Sequence, residues 1–256
     1  MKKFVPFTKL HGTCNDFVLF DQRETKFVAN ALTARFVCDR RRGVGADGLL
    51  VVLPSDVADV RMRILNADGS EAQMCGNGIR CVAAYLGESG APSDLRIETL
   101  AGVVLTHAQR DGDHYRVRVR LEAPRIEQWS GRPEALFVHA GNPHVVLFAA
   151  LPDEVDLESV GPEVSAGIAG GANVHVVTRT GAQQLTVRHW ERGVGSTAAC
   201  GTGAVAAAAA AITRGDVHSP VELSVPGGRL SVEWDGGGYV WLTGAAVRVF
   251  DGSIAL

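Results

Sequence analysis

No stretch of this chain is long and apolar enough to span a bilayer; the nearest, Ala204 to Ile212, is short and alanine-rich. The segment Met1 to Leu10 carries lysines but no apolar core, so it does not read as a secretory signal. Cysteine is scarce. The five present are odd in number and scattered, which argues against a disulfide framework and makes a reducing cytoplasm the expected setting. The eight histidines show neither H-E-x-x-H nor Cys/His zinc spacing, so no metal is expected. Basic charge is not in excess: the formal net charge is −3, and neither nucleic acid nor a membrane surface is an expected partner.

What is there is a soluble-protein composition, 46% apolar and 21% charged over 256 residues, enough for a large core and more often two domains than one. Alternating runs predict strands at Val117 to Leu121, Leu185 to Val187, Val221 to Val225, Leu230 to Trp234 and Tyr239 to Leu242. Asp111-Gly112, Pro226-Gly227-Gly228 and Asp235-Gly236 punctuate them as turns. Three segments are predicted helical: Thr33 to Arg41, with Thr33 as N-cap and Gly43 as stop, Gly78 to Leu86, and Gly203 to Arg214. Many strands and few helices give an α+β class.

The strongest signal is an internal repeat. Cys75-Gly-Asn-Gly-Ile-Arg-Cys-Val-Ala-Ala in the first half answers Cys200-Gly-Thr-Gly-Ala-Val-Ala-Ala-Ala-Ala in the second. Asn66 and Glu191 each lie nine residues before their cysteine, and Gly48 and Asn173 each lie 27 before. Asn15-Asp-Phe-Val lies 60 before Cys75, and Asn142-Pro-His-Val lies 58 before Cys200. The spacing predicts duplicated α/β domains with a cleft between two Cys-Gly-x-Gly loops. The first domain is expected at 1–121, with 243–256 returning to it, and the second at 122–242. The junction falls near Glu122-Ala-Pro124.

Glycine lets a ligand approach the main chain. A helix start offers unpaired N–H groups and about half a positive charge, a seat for a carboxylate. A thiol there should have a lowered pKa. Two such copies could take an α-proton with one cysteine and return one with the other, inverting the carbon. The N–H groups of Gly76, Asn77, Gly201 and Thr202 would stabilise the charge that develops on the adjoining carboxylate, at about 3 kcal/mol for a well-aimed donor. His144 and Glu191 are candidates for setting the opposite protonation states the two thiols need. Arg192 could clamp a distal carboxylate in bidentate fashion, and Glu191 could pair with an ammonium.

Taken in order, His11-Gly-Thr-Cys-Asn-Asp-Phe-Val, Gly43-Val-Gly-Ala-Asp-Gly, Asn66-Ala-Asp-Gly-Ser-Glu, Met74-Cys-Gly-Asn-Gly-Ile-Arg, Gly141-Asn-Pro-His, Glu191-Arg-Gly-Val-Gly and Ala199-Cys-Gly-Thr-Gly resemble the motifs of the diaminopimelate epimerases. The resemblance runs from His11 to about Gly252. It implies two similar α/β domains, each a mostly antiparallel sheet curled around a central helix, usually in a homodimer. It also implies interconversion of LL- and meso-diaminopimelate on the route to lysine and peptidoglycan, without pyridoxal phosphate, another cofactor or metal. Carried over, Cys75 and Cys200 exchange the proton, His144 assists Cys75 and Glu191 assists Cys200. Asn15, Asn66, Asn142, Asn173, Glu191 and Arg192 bind the substrate's amino and carboxyl groups, and Gly76-Asn77 with Gly201-Thr202 hold the carboxylate.

Several positions depart from that pattern. Gly48 stands where some members have glutamine, Cys14 where glycine is usual, Ser196 where glutamate is common, and His175 where many have an acidic residue. Two alternatives are a proline or hydroxyproline racemase, whose histidine after the first Cys-Gly is Asn77 here, and a non-catalytic amino-acid binding module. Cys14, Cys38 and Cys81 read as small buried hydrophobes. His107, His114, His189 and His218 read as surface or strand residues. Gly201-Thr-Gly-Ala-Val-Ala206 matches a dinucleotide fingerprint only formally, because no apolar strand precedes it.

Overall fold

The computed structural model describes residues 4–23, 25, 27–132 and 134–256, so Met1 to Lys3 of the amino-terminal segment lie outside the described residues. The chain divides into one compact unit of Met1–Val119 with Gly244–Leu256 and another of Arg120–Thr243. The class is α+β, with strands outnumbering helices. No helix among the described residues is long and apolar enough to cross a membrane.

In the first unit β1 (Phe4–Gly12) and β2 (Asn15–Asp21) form a hairpin, and α1 (Ala31–Cys38) leads to β3 (Gly48–Leu53). β3 runs parallel to β2 and antiparallel to β4 (Val60–Asn66). The short β5 (Glu71–Ala72) folds back on β4 and delivers the chain to α2 (Gly76–Glu88). β6 (Asp94–Thr99) then lies parallel to β4, and β7 (Gly102–Asp111) and β8 (His114–Glu122) continue the sheet. The last stretch of the chain pairs with β1, from Phe4 opposite Ala255 to His11 opposite Val247.

The second unit repeats this plan. β9 (Arg125–Gln128), β10 (Leu136–His139) and β11 (Pro143–Phe148) pair antiparallel in turn, and α3 (Leu157–Ala166) leads to β12 (Asn173–Gly181). β12 runs parallel to β11 and antiparallel to β13 (Gln184–Glu191). The short β14 (Gly195–Thr197) folds back on β13 and delivers the chain to α4 (Gly201–Thr213). β15 (Val221–Val225) lies parallel to β13 and pairs with β16 (Gly228–Glu233), and β17 (Tyr239–Ala255) follows.

The central helices are buried on nearly every side. In α2 every residue from Gly76 to Ala84 is buried, and in α4 every residue from Gly203 to Ala211. Alanine suits α4 because it loses no side-chain entropy in a helix. Its small side chain also lets β10, β11, β12, β13, β15 and β16 close around it. Val138, Val146, Val187, Leu223 and Val232 pack against that helix to form the core of the unit.

The first helix starts and ends earlier than its sequence predicts. Asn30, not Thr33, is the N-cap, because its Oδ1 accepts the N–H groups of both Leu32 and Thr33 at 3.0 Å. It ends at Cys38 rather than Arg41, since the Asp39 carboxylate accepts the N–H groups of Arg41 and Arg42 and turns the chain. The two central helices begin two residues earlier than expected, so their glycines are the first helical turn. α3 escaped the periodicity because Gly161 and Pro162 interrupt it. A Cβ on Gly161 would lie 2.4 Å from the Trp190 ring, so the indole takes the space a side chain would need.

Candidate active site

Cys75 is the N-cap of α2, in extended backbone at φ −143°, and the Gly78 N–H donates to its sulfur over 3.4 Å. Cys200 is the N-cap of α4 at φ −125°, and its sulfur lies 3.6 Å from the Thr202 hydroxyl. The Ile79 and Ala204 N–H groups donate to the carbonyls of Cys75 and Cys200. The N–H groups of Gly76, Asn77, Gly201 and Thr202 thus stand at two helix starts, where the backbone has no carbonyl of its own to offer them.

Around Cys75 the structure gathers Asn15 and Asn77. Asn77 Nδ2 donates to Asn15 Oδ1 over 3.2 Å, and the Cys75 thiol lies 4.0 Å from the same oxygen. Asn15 is in turn held by Asp47, which accepts from its Nδ2 over 2.9 Å. Asp16, ion-paired to Lys9 at 2.5 Å and to Arg40 at 2.8 Å, completes this support. Burial would raise the Asp16 carboxyl, but hydrogen bonds from Arg40 and Lys9 outweigh that and hold it well below the usual carboxylate range. Asn66 is exposed and donates to the Ser70 hydroxyl over 2.9 Å, capping its own turn.

Beneath the Cys75 turn lies a group that the motifs do not single out. Arg80 is fully buried on α2 and donates to the Gly76 carbonyl over 3.2 Å, and to Thr13 Oγ1 and Asn77 Oδ1 over 2.9 Å each. Desolvation lowers its pKa, and charge on the neighbouring sulfurs, that of Cys81 first and then that of Cys75, acts in the opposite sense. Its place as the last residue of the Met74-Cys-Gly-Asn-Gly-Ile-Arg motif was the available signal.

Beside Cys200 the structure places Thr202 and Glu191, with Thr197 on the Glu191 carboxylate; Asn173 is bonded to Arg192, the residue after Glu191. Burial pushes the Cys200 thiol well up; the Glu191 carboxylate adds to the rise, and the Thr202 hydroxyl and Gly203 N–H oppose it. A helix start by itself predicts a lowered thiol here. Burial with an adjacent anion outweighs it. Thr197 Oγ1 donates to Glu191 over 2.6 Å, and Asn173 Oδ1 accepts the Arg192 N–H over 2.9 Å. The Arg192 guanidinium folds back onto the carbonyls of Gly170 and Gly171.

His144 is fully buried, with its Nδ1 2.8 Å from His175 Nε2. Burial, the largest effect, lowers it to about 3, so it is a neutral imidazole near neutral pH. His189 is a strand residue, and a buried one. Asn142 Oδ1 is buried with no protein partner among the described residues. Cys38 and Cys81 are buried thiols pushed up to about 11 and about 12, inert as hydrophobes should be. Cys14 is different: it is exposed, at φ 63° in the two-residue turn joining β1 to β2, beside Thr13 at φ 55°.

The duplicated plan, with a cysteine capping the central helix of each copy, sets the class: an α+β protein of the fold shared by racemases, epimerases and phenazine-biosynthesis proteins. A phenazine biosynthesis protein of the PhzF family from Bacillus anthracis superposes with a TM-score of 0.79 at 19% identity, over 99% of this chain and 100% of that one. A hydroxyproline epimerase from Agrobacterium vitis, solved with trans-4-hydroxy-L-proline, gives 0.72 at 18% identity, over 100% of this chain and 92% of that one. At such identities the likeness is one of fold. Sequence is more specific. The family profile for diaminopimelate epimerase matches residues 7–126 and 136–249. A diaminopimelate epimerase of Desulforudis audaxviator is 42% identical over 271 residues, 96% of this chain and 98% of the relative. One of Rhizorhabdus wittichii is 43% identical over 267 residues, 96% and 94% of the two chains. The chain belongs to the diaminopimelate epimerase family, and it is an enzyme, an isomerase.

Proposed function

We propose that this chain interconverts LL- and meso-diaminopimelate by passing one α-proton between two cysteines. The observation that carries the reading is that Cys75 and Cys200 each cap the amino terminus of a buried central helix at the same point of a duplicated plan. Family membership supplies the substrate. One thiolate takes the α-hydrogen as a proton, and the electron pair of the broken C–H bond spreads into the adjoining carboxylate. The other cysteine returns its own S–H proton to the opposite face, so the configuration inverts and no net proton is consumed. The N–H groups of Gly76, Asn77, Gly201 and Thr202 meet the charge on that carboxylate. Asn15, Asn66, Asn142, Asn173, Glu191 and Arg192 take the amino and carboxyl groups, with Arg192 released from its own carbonyls to do so. His144 assists Cys75, and Glu191 assists Cys200. The mechanism asks for no metal or pyridoxal phosphate.

The reading extends to the resting protonation states. The Arg80 cation near the Cys75 sulfur supports reading Cys75 as the base, and burial with the Glu191 carboxylate, which raises the Cys200 thiol, supports reading Cys200 as the acid. The enzyme is then poised with base and acid before substrate arrives. We extend the family reading to a cytoplasmic homodimer, which light scattering would test by its mass.

The deciding experiment is incubation with LL-diaminopimelate and, separately, with L-proline, followed by chiral separation. Meso product from the first and unchanged proline are expected. Racemised proline with untouched diaminopimelate would transfer the assignment to the proline enzymes, and no change in either would leave a binding module.

A further inference from the structure

Three imidazoles hydrogen-bond in series inside the second unit. His144 Nδ1 lies 2.8 Å from His175 Nε2, and His175 Nδ1 lies 2.9 Å from His189 Nδ1. The rings come from β11, β12 and β13, and none is more than 1% exposed. At the far end Nε2 of His189 is buried with no protein partner among the described residues; at the near end Nε2 of His144 makes no well-aligned hydrogen bond, while the Ala140 backbone carbonyl lies close enough to the ring to favour an N–H there. The middle ring bears on the Cys200 turn: a Cβ on Gly203 would lie 2.4 Å from His175 Cε1. Gly203 must therefore be glycine for the first turn of α4 to sit where it does.

The repeat shows what these rings replace. Counting back from each cysteine, Leu50 answers His175 and Ile64 answers His189; by the shared Asn15/Asn142 landmark, Phe17 answers His144. The strand register agrees. Phe17 pairs with Gly48 where His144 pairs with Asn173, and Leu50 pairs with Ile64 where His175 pairs with His189. Leu50 even holds the same seat, 3.0 Å from the Cβ that Gly78 lacks. The same scaffold thus folds with phenylalanine, leucine and isoleucine at these places. A buried polar series can often be exchanged for hydrocarbon without loss of stability. Packing alone does not call for three imidazoles.

What an imidazole adds is a proton held at one of two nitrogens. Burial lowers His144 and His189 to about 3 and His175 well below its ordinary value, so all three are neutral near neutral pH. Each N···N contact needs one donor and one acceptor. Only two neutral arrangements satisfy both. In one, His144 donates from Nδ1, His175 donates from Nδ1, and His144 Nε2 carries a lone pair. In the other, His189 donates from Nδ1, His175 from Nε2, and His144 Nε2 carries the hydrogen. Which of the two holds at His144 therefore depends on rings one and two strands away, together with the Ala140 carbonyl beside the His144 ring.

We propose that His175 and His189 are positioning residues: they fix which nitrogen of His144 carries hydrogen, and through His175 against Gly203 they tie that choice to the seat of the Cys200 turn. The inference rests on the reading of His144 as a group of the epimerase site. Labelling the histidines of the full chain with nitrogen-15 tests the series without reference to activity. Two scalar couplings across N–H···N bonds and three neutral rings are expected near neutral pH, with the shifts moving when diaminopimelate is added. Absent couplings, or an imidazolium among the three, would overturn it.

The variant His175→Leu with His189→Ile copies the first unit's own core. It should keep its thermal midpoint, lose about a hundredfold in kcat, the scale of one general acid–base group, and hold KM within about threefold. His189→Ile alone leaves the ring on Gly203 in place and should show the same split at smaller size. Parental kcat in both variants would overturn the proposal. Inactivity of the parent on diaminopimelate would instead defeat the assigned reaction, with the nitrogen-15 couplings still deciding whether the series exists.

Discussion

Cys75 and Cys200 occupy one backbone plan under opposite chemistry. Against the first turn of the helix at Cys75 lie Leu50 and Ile64, and five residues along from Cys75 the buried Arg80. Against the first turn of the helix at Cys200 lies His175, bonded to His144 and His189, and Val205 stands where Arg80 would be. Nine residues upstream the first has neutral Asn66 and the second the carboxylate of Glu191. A buried charge is costly unless an opposite charge shares its site. The cation in one half favours thiolate, and the anion in the other favours thiol. Duplication fixes where the two sulfurs sit on their helices; the side chains beneath decide what each sulfur carries.

The severest test of this contrast is removal of either sulfur. Cys75→Ala and Cys200→Ala should each lower epimerisation by more than about 10³-fold, since residues acting as a unit fail together. Near-normal turnover in either, followed by chiral separation, would end the two-base scheme. Next comes reactivity. Peptide mass spectrometry of timed iodoacetamide treatment should show Cys75 alkylated more than about tenfold faster than Cys200 near neutral pH. Glu191→Gln should narrow the gap by removing the like charge beside Cys200, and Arg80→Met should narrow it from the other side. Equal rates in the parent would erase the asymmetry.

Acid should separate the halves more gently. The three imidazoles are neutral when folded, with pKa values lowered from 6.5, whereas the unfolded chain protonates near 6.5. The unfolded state therefore binds more protons as pH falls, and the stability these rings allow is full above pH 6.5 and lost progressively below it. The first unit's Asp16 has a lowered pKa, so its contribution is present above the ordinary carboxylate range and is lost only in stronger acid. Hydrogen exchange at about pH 8 and about pH 5 should show opening of β11 to β13 well before β2 and β3, with β1 between them because burial also lowers its His11. Uniform loss of protection would count against it. The mildest effect belongs to Cys14→Gly. Relief of a left-handed backbone at φ 63° should add about 1 kcal/mol, read as a rise of about 2–4 °C in thermal midpoint.

Much of the site could be read in the amino-acid order because it is local. Cys75 and Cys200, their glycines, and the offsets of Asn66 and Glu191 are spacings along one chain. The α+β class followed from alternation and turn residues for the same reason. Three things were not local. Arg80 owes its meaning to Thr13, 67 residues away. His175 and His189 read singly as a departure and a strand residue, because the series exists only when three strands align. The sign of the Cys200 shift depends on burial, which the helix start does not reveal. α3 was lost to Gly161 and Pro162, and the reason for Gly161 is an indole 29 residues later in the chain.

The run Ala206 to Ala211 has no accessible surface at all. Six consecutive methyl groups press against strands on every side, and enlarging any of them would force strands apart at about 1–3 kcal/mol per intrusion. This dull-looking stretch therefore tolerates little enlargement. Variation that the loops absorb freely would here shift the very rod on whose tip Cys200 is mounted, and function would fade before the fold gave way.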